Sequence, residues 1–465
     1  MARPLPFIAQ LAAVLICWHG LHFRWEDATT RTTCETAPER TFSLIRPGWR
    51  RSPRRACRRP ACAAAPKTDL VSPPGPWALP LLGSMSLIWS LMRGQSLPQV
   101  LGRYRAKYGP IFMLKAGPLR QVWIDDPELF RRIYERPECA GRLTPNGDPY
   151  GGSLFHTRDL ARAAEIRQQQ EAWWTGRSSK IDVRAMVEAA MMRVWPSLDA
   201  GGSMEWPTEL VRSAMYDVIM RTYLGDLDGL MTEVEDLMQA IAKYGPYAVK
   251  RIPEKKHAPI IRQLVDTVLA RYTARGGDNA ELLRPMLANA AIGGAELLPG
   301  LLQWIFIIFA QEPALQATAA SAAAAGNRDA LLGLMYGVLR RAPFGVALGP
   351  PRCVLTETVV DGICLPEGAM LFAMHPAIAD SALRRSPADS PASGEEFASY
   401  AFGVGPRKCI GRELVETVLV GAVGEVLKRY RVTLKGSPGV VHPKMAGMFC
   451  IPADPPMMTW EHRED

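Results

Sequence analysis

The spacing of hydrophobic and polar residues is typical of α-helices over most of the chain, with short strand-like segments near the start of the folded part. The pattern predicts a helix over Leu97–Tyr108, which Gly109-Pro110 ends because proline cannot continue a helix. Ile111–Leu114 and Gln121–Ile124 have the composition of β-strands and flank Gly117-Pro118, so they predict a strand pair. A small sheet therefore follows the first predicted helix.

The helical pattern then continues through the middle of the chain. Asp126-Pro127 supplies an N-cap and a first-turn proline for a helix that runs through Tyr134. Residues 180–274 are mostly helical in pattern, with Gly and Pro between segments, and the alanine-rich residues 314–325 predict one more helix. The sequence thus predicts a mainly α fold with a minor β region.

Charge is unevenly distributed along the 465 residues. The formal net charge is +9, but residues 1–66, here called the leader, contain eleven Arg, no Lys and four acids. The rest of the chain is therefore close to neutral, and its composition does not support a nucleic-acid-binding surface. A hydrophobic content of 48% is sufficient for a large buried core.

The leader has two parts. Residues 1–24 contain a short apolar run that resembles a signal-peptide core, with a short membrane anchor as the alternative. Residues 25–66 are rich in Arg, Ala and Ser and poor in acids, as transit sequences are. A two-part leader favours a plastid bounded by extra membranes, and the mitochondrion and the endoplasmic reticulum membrane are the alternatives. Residues 67–465 are predicted to form the folded, catalytic part.

Cysteine spacing narrows the candidate chemistry. Four of the nine Cys lie in the leader, and the other five are scattered without a CxxC pair. This spacing argues against a structural zinc site and against a disulfide framework. Of the five, only Cys409 has unusual neighbours.

Cys409 lies in a glycine-rich segment that suits a metal thiolate. Glycines let the backbone approach a flat ligand, and their N–H groups can donate to sulfur. A helical pattern starts after Gly411, so the positive end of the helix dipole would stabilise a negative charge on Cys409. Arg407 is placed to pair with a propionate of a haem. The segment reads Phe402-Gly403-Val404-Gly405-Pro406-Arg407-Lys408-Cys409-Ile410-Gly411.

This segment resembles the cysteine loop of the cytochrome P450 superfamily, Phe-Gly-x-Gly-x-Arg-x-Cys-x-Gly, at every fixed position. The resemblance covers roughly residues 70–450. It implies the triangular, mainly α fold of that family around a buried haem b, with Cys409 as the thiolate ligand of the iron. It also implies a cofactor-binding role for Phe402, Gly403, Gly405, Arg407 and Gly411.

The core that supports the haem departs from the family pattern. The family has a Glu-x-x-Arg pair on a helix, and here Gly337 stands at the Glu position while Arg340 and Pro343 match. A buried arginine without a partner costs several kcal/mol, so either another acid pairs with Arg340 or Arg340 turns toward solvent. A third partner of this pair is expected at Arg384 or Arg385.

The helix that crosses the haem in the family departs as well. Gly293-Gly294-Ala295-Glu296-Leu297 aligns with its Ala/Gly-Gly-x-Asp/Glu-Thr motif, which makes Glu296 and Leu297 the predicted catalytic positions. Glu296 keeps the acid, but Leu297 replaces the threonine that relays protons, and a leucine has no proton to donate. Pro299-Gly300 predict a bend or break in this helix.

Further cofactor-binding positions come from the resemblance. Arg352 and His375 match residues that meet a haem propionate. Arg167 matches the arginine of a Trp-x-x-x-Arg motif whose Trp is absent here. Together with Arg340, these residues complete the predicted cofactor-binding set.

The resemblance implies a monooxygenase that inserts one oxygen atom from O2 into an apolar small molecule, such as a sterol, carotenoid, terpenoid or fatty acid. It also implies an electron donor, either a ferredoxin or an NADPH-dependent reductase, that docks near Lys408 and Arg412. We expect a monomer with peripheral or N-terminal membrane association. Two alternatives stay open. Leu297 is what a haem-thiolate hydroperoxide isomerase or lyase would carry, and Gly337 would suit a haem-binding pseudoenzyme.

Overall fold

A computed structural model describes residues 71–463, except 80–81, 118, 143–152, 158, 249–253, 296, 346, 380–390, 437–440 and 447–448. The leader therefore lies outside the described residues. So do Glu296, Arg384 and Arg385.

Helices make up most of the described chain, as the pattern predicts. In chain order they are α1 (Met85–Met92), α2 (Leu97–Tyr108), α3 (Pro127–Tyr134), α4 (Leu160–Ser178), α5 (Val183–Met191), α6 (Trp195–Asp199), α7 (Thr208–Leu224), α8 (Met231–Ala248), α9 (Glu254–Ala274), α10 (Ala280–Ala290), α11 (Leu298–Gln311), α12 (Pro313–Ala324), α13 (Arg328–Arg341), α14 (Pro376–Ala379), α15 (Pro391–Phe402) and α16 (Arg412–Arg429). A π-helical turn, Ala291–Ala295, lies between α10 and α11.

The strands form small sheets. In chain order they are β1 (Ala78–Leu79), β2 (Gly83–Ser84), β3 (Ile111–Ala116), β4 (Leu119–Ile124), β5 (Ser203–Met204), β6 (Arg352–Cys353), β7 (Thr358–Val360), β8 (Ile363–Leu365), β9 (Met370–Ala373), β10 (Tyr430–Leu434), β11 (Pro443–Ala446), β12 (Phe449–Pro452) and β13 (Met458–His462). The largest described sheet has the order β3-β4-β9-β6 and is antiparallel except at the β4/β9 pair. The predicted strand pair is confirmed as β3 and β4, with Ile111 opposite Ile124.

Local signals determine where the first elements begin. Helix α2 has the predicted bounds, and Ser96 and Gln99 form a capping box at its start. Asp126 caps α3 as predicted, because its Oδ1 accepts a hydrogen bond from the N–H of Leu129 at 2.7 Å. Helix α3 ends at Tyr134, which lies against the cysteine loop described below.

Helix α11 lies at the centre of the main core. It is buried along most of its length and packs against α7, α13 and β10. The indole N–H of Trp304 donates to the carbonyl of Cys450 at 2.9 Å and ties α11 to β12. Because α11 is buried on all sides, its sequence is apolar all round rather than amphipathic.

The predicted break before α11 is confirmed. The π-helical turn and a turn at Leu297 separate α10 from α11, and Pro299 lies in the first turn of α11. Within the described residues, Ala280–Gln311 is the one helical stretch long and apolar enough to span a membrane. Its apolar window is 75% buried inside the fold, and a buried core helix meets the same criteria.

Candidate functional site

Residues 403–411, here called the cysteine loop, connect α15 to α16 and hold Cys409 just before α16. The backbone N–H of Cys409 donates to the carbonyl of Phe402, the last residue of α15, at 2.7 Å. Gly411 is the N-cap residue of α16, and a Cβ built on it would lie 4.0 Å from the Cys409 sulfur. The thiol therefore lies at the positive end of the α16 dipole, as the sequence predicts.

Two glycines of the cysteine loop have backbone conformations that favour glycine. Gly403 has φ +73° and Gly405 has φ +67°. A Cβ on Gly405 would also lie 2.5 Å from the carbonyl oxygen of Tyr134. Gly405 thus permits a close approach to the end of α3. From the sequence, these glycines were expected to permit a close approach to a flat ligand.

The Cys409 side chain is accessible, although protein closely surrounds it. Burial among protein atoms raises the pKa of the thiol. The N–H of Gly411 and the positive charges of Arg167 and Arg412 act in the opposite direction. Cys409 is therefore accessible, and a thiolate there would have three stabilising neighbours.

Arg407 lies on the inner side of the cysteine loop and is buried. Its Nε donates to the carbonyl of Ala140 at 3.0 Å. Its Nη1 and Nη2 donate to the carbonyls of Leu154 and Thr157 at 3.3 and 2.7 Å. Arg407 thereby ties the cysteine loop to the segment between α3 and α4.

Arg352 and Arg142 lie in the same buried region. Arg352 donates to the carbonyls of Tyr134 and Val404 at 2.5 and 2.7 Å, and its guanidinium lies 4.2 Å from the centre of the Tyr134 ring. Mutual backbone hydrogen bonds between Gly141 and Cys353, 3.0 and 2.9 Å long, bring Arg142 beside Arg352. We call Arg142, Arg352 and Arg407 the arginine cluster.

The arginine cluster has no carboxylate partner among the described residues, and Nε of Arg142 has no hydrogen-bond partner there. Burial, followed by the neighbouring arginine charges, lowers the pKa of Arg142 to about 9 and the pKa values of Arg352 and Arg407 to about 10. An arginine stays protonated at ordinary pH, so these pKa shifts express the free-energy cost of three buried positive charges.

A haem fits these residues. It would bring two propionate carboxylates, which are the counter-charge that the arginine cluster lacks. The accessible sulfur of Cys409 would reach the iron. Arg352 and Arg407 were predicted from the sequence, but Arg142 was missed. The neighbouring Gly141 must be glycine because a Cβ there would lie 2.6 Å from the Cys353 carbonyl oxygen, but this contact is visible only in the fold.

Arg167 lies on the other side of the cysteine loop. Its Nη2 donates to the carbonyl of Lys408, next to Cys409, and its Nη1 donates to Glu171 at 2.9 Å. Its charge contributes to the lowered pKa of Arg407. Burial, and then the neighbouring Cys409, raise the pKa of Tyr223 of α7, a residue that the sequence did not predict for this site.

The supporting core contains Arg340 and its neighbour Arg341 at the end of α13. Arg340 is half-buried, whereas Arg341 is buried and forms an ion pair with Glu312. An acid from another element therefore pairs with the arginine that follows Arg340 in this helix, and whether an acid pairs with Arg340 itself stays a prediction. Gly337 is buried in α13 without contributing a side chain.

His375 is fully buried outside the arginine cluster. Its ring makes edge-to-face contacts with Phe344 and Phe397, and its Nδ1 accepts a hydrogen bond from the N–H of Ala377 at 3.1 Å. Burial lowers the pKa of His375 to about 3. Its role toward a propionate stays a prediction.

Leu297 is half-buried two residues after the end of the π-helical turn, and its N–H donates to the carbonyl of Gly294 at 3.2 Å. A Cβ built on Gly293 would lie 3.0 Å from the Phe155 ring, so residues 153–157 reach this turn. The same segment accepts the hydrogen bonds of Arg407. It thus links the cysteine loop to the turn at which the predicted catalytic positions lie.

Comparison with known proteins agrees with this geometry. The family model Cytochrome P450 matches residues 73–264 and 337–460. The matched residues include Cys409 and the arginine cluster, whereas Glu296 and Leu297 lie between the two matched segments.

Individual relatives have low sequence identity to this chain, and the length over which they align differs. Rice Ent-cassadiene C11-alpha-hydroxylase 1 is 21% identical over 443 residues, covering 78% of this chain and 87% of the relative. Pig Cytochrome P450 11B1, mitochondrial, is 31% identical over 103 residues, 20% of each chain. A solved zebrafish cytochrome P450 with abiraterone has a TM-score of 0.61 at 19% identity and covers 80% of this chain and 100% of that one. The predicted fold class is confirmed.

Proposed function

Because this chain belongs to the cytochrome P450 family, we propose that it is a haem-thiolate monooxygenase that inserts one oxygen atom from O2 into an apolar small molecule. The observation that carries the proposal is the arginine cluster beside the accessible thiol of Cys409. A single cofactor with two carboxylates and a metal would satisfy both features. A bound haem would supply oxygen activation and one-electron chemistry.

The residues of the site would have separate roles. Arg142, Arg352 and Arg407 would hold the two propionates through charge-assisted hydrogen bonds. Cys409 would ligate the iron, with Gly411 N–H and the α16 dipole stabilising its negative charge. Glu296 would be the group that holds or moves a proton. Since Leu297 cannot do so, water or a substrate hydroxyl would have to complete the path.

The substrate is proposed to be a sterol, carotenoid, terpenoid or fatty acid. Support comes from the rice relative, whose name gives an ent-cassadiene as the molecule that it hydroxylates. Electrons would come from a ferredoxin or an NADPH-dependent reductase, which would dock on the exposed side of the cysteine loop near Lys408 and Arg412. The catalytic unit is proposed to be a monomer.

Peripheral membrane association is supported by the start of the described chain. Trp77, Leu82, Trp89 and Met92 are large hydrophobic residues that are more than half exposed. Residues 71–124 contain six Arg and Lys and no acid, and the guanidinium of Arg93 lies 4.7 Å from the Trp89 ring centre. Exposed Trp and Leu next to cations suit an anionic lipid surface.

The proposed location is a plastid, from the composition of the leader. The mitochondrion remains the main alternative, and a pig relative is named as mitochondrial. The endoplasmic reticulum membrane is the third alternative.

The central test is Cys409→Ala in the full chain, with Cys364→Ala as the control because Cys364 is half-buried and outside the site. Wild type and the control should bind haem and give the red-shifted Soret band that a thiolate ligand gives the ferrous carbon monoxide complex. Cys409→Ala should lose that band. If wild type lacks the band, the haem-thiolate proposal is wrong.

A second candidate function is favoured by Leu297. A haem-thiolate hydroperoxide isomerase or lyase needs neither O2 nor electrons, so it can do without the relay hydroxyl. Donor-dependent consumption of NADPH and O2 would support the monooxygenase. Turnover of a fatty-acid hydroperoxide without any donor would support the isomerase or lyase, and neither activity in haem-loaded protein would indicate a pseudoenzyme.

A further inference from the structure

Glu416 of α16 is a buried carboxylate to which the proposed function gives no role. It lies seven residues after Cys409. Its Oε1 accepts a hydrogen bond from the hydroxyl of Tyr336 at 2.5 Å and another from Nε of Arg412 at 2.6 Å. Nη2 of Arg328 lies 3.7 Å from its Oε2. One oxygen of Glu416 thus holds two side chains from different helices.

Both of these side chains contact Phe402. The Tyr336 ring meets the Phe402 ring edge to face, with centroids 6.4 Å apart, and the Arg412 guanidinium lies 5.7 Å from the centre of the same ring. The carbonyl of Phe402 in turn accepts the hydrogen bond from the N–H of Cys409. A continuous series of contacts therefore leads from Glu416 through Phe402 to the backbone of Cys409.

We propose that Glu416 is a positioning residue for the thiolate ligand: it holds Tyr336 and Arg412 against Phe402, and Phe402 anchors the backbone of Cys409. The proposal rests on the proposed function, since it needs Cys409 to ligate the haem iron.

The family pattern has its acid at the position of Gly337, which follows Tyr336 on α13. Here the carboxylate that meets Tyr336 comes from Glu416 of α16, the helix that begins directly after the cysteine loop. A buried carboxylate is stable only when it is well paired, and Glu416 has a charge-assisted bond to Arg412 and a hydroxyl donor in Tyr336.

Because Arg412 is charged, its position affects the electrostatic field at Cys409, which a purely structural contact would not do. Arg412 is a cation three residues after Cys409, and its guanidinium lies against the Phe402 ring that anchors the Cys409 backbone. If Glu416 no longer holds Arg412, both the position of the loop and the electrostatic field at the sulfur change. The ligation state and the reduction potential of the bound haem should therefore respond.

The test uses the full chain loaded with haem and the variant Glu416→Gln. The measurement is the ratio of thiolate-ligated to thiolate-displaced ferrous carbon monoxide complex, together with the midpoint potential. Loss of one charge-assisted hydrogen bond should lower this ratio about tenfold. Tyr336→Phe, which keeps the ring, should lower it less. The double variant should be no worse than Glu416→Gln alone, because the two residues act through one contact.

Glu425→Gln is the matched control. Glu425 lies on the same helix, is about as buried as Glu416 (side chains 12% and 10% exposed) and pairs with Lys428 at 2.8 Å, but has no contact with the cysteine loop among the described residues. Its variant should leave the ratio and the potential unchanged. If Glu416→Gln behaves like Glu425→Gln, lowering only the unfolding midpoint or nothing, the positioning role is refuted. A wild type without thiolate ligation would instead overturn the proposed function, and this inference with it.

Discussion

Replacing Arg142 by methionine should change the stability of the haem-free protein and its haem affinity in opposite directions. Arg142 carries one of three buried positive charges, and its donors reach only the carbonyls of Pro350 and Pro351 among the described residues. Methionine has a similar length and no charge. Without haem, the variant no longer buries a positive charge beside Arg352 and Arg407. With haem, it loses a hydrogen-bond donor to a propionate.

The magnitudes follow from the pKa of Arg142, which burial and its neighbours lower from 12.5 to about 9. At about 1.4 kcal/mol per pKa unit, this charge costs on the order of 5 kcal/mol in the haem-free protein. The two lost hydrogen bonds cost about 1 kcal/mol each. The unfolding free energy should therefore rise by on the order of 3 kcal/mol. Haem binding should weaken about tenfold to a hundredfold, because a charged hydrogen bond is worth about 1.5–3 kcal/mol.

The assay combines urea unfolding of the haem-free protein, followed by tryptophan fluorescence, with a haem titration followed at the Soret band. Arg341→Met is the control, because Arg341 is equally buried but pairs with Glu312. Removing it leaves a carboxylate without its partner, so the haem-free protein should lose about 3 kcal/mol or more while haem affinity stays the same.

The same response in Arg142→Met and Arg341→Met would contradict a propionate-binding role for Arg142. A less stable haem-free protein with unchanged haem affinity would mean that Arg142 is a structural arginine. The arginine cluster would then not be a site for an anionic group.

Two further predictions concern Leu297 and His375. Leu297→Thr should raise the share of consumed O2 that appears in product by about tenfold or more, since a positioned proton donor commonly contributes at least that much, and Leu297→Val, which has the same shape without the hydroxyl, should not. Equal coupling in the two variants would contradict the relay argument. His375, with its pKa lowered to about 3, stays neutral in the folded state while the unfolded chain binds a proton below about pH 6.5. Stability should therefore fall as the pH drops from 6.5 toward 3, by up to about 5 kcal/mol, and His375→Asn should flatten this slope in urea unfolding of the haem-free protein. Identical slopes would show that another group is responsible.

The ligand side of the site was predictable because its parts are consecutive in the chain. Cys409, its glycines and Arg407 lie within ten residues, so their types and spacing alone indicate the chemistry. The break before α11 was predictable for the same reason, since a proline in a helical pattern acts on its own helix.

Arg142 was not predictable in this way, because its role depends on a contact across the fold. Gly141 and Cys353 are distant in sequence, and nothing in the spacing of either segment shows that they pair. The same holds for the acids of the supporting core. The contacts of Glu312 with Arg341 and of Glu416 with Tyr336 are identified only by how α12, α13 and α16 pack, and whether an acid pairs with Arg340 stays a prediction.

The interruption before α11 changes which hydrogen-bonding groups are present at this turn. Pro299 has no N–H, so the carbonyl of Ala295 lacks the donor that a regular helix would give it. A backbone carbonyl can hold a water molecule but cannot release a proton to it. Relative to the family pattern, this turn lacks a hydroxyl at residue 297 and contains a main-chain acceptor, the carbonyl of Ala295, to which Pro299 cannot donate. The availability of that carbonyl depends on Pro299 rather than on residue 297. Substitutions at residue 297 alone would therefore not reveal its role.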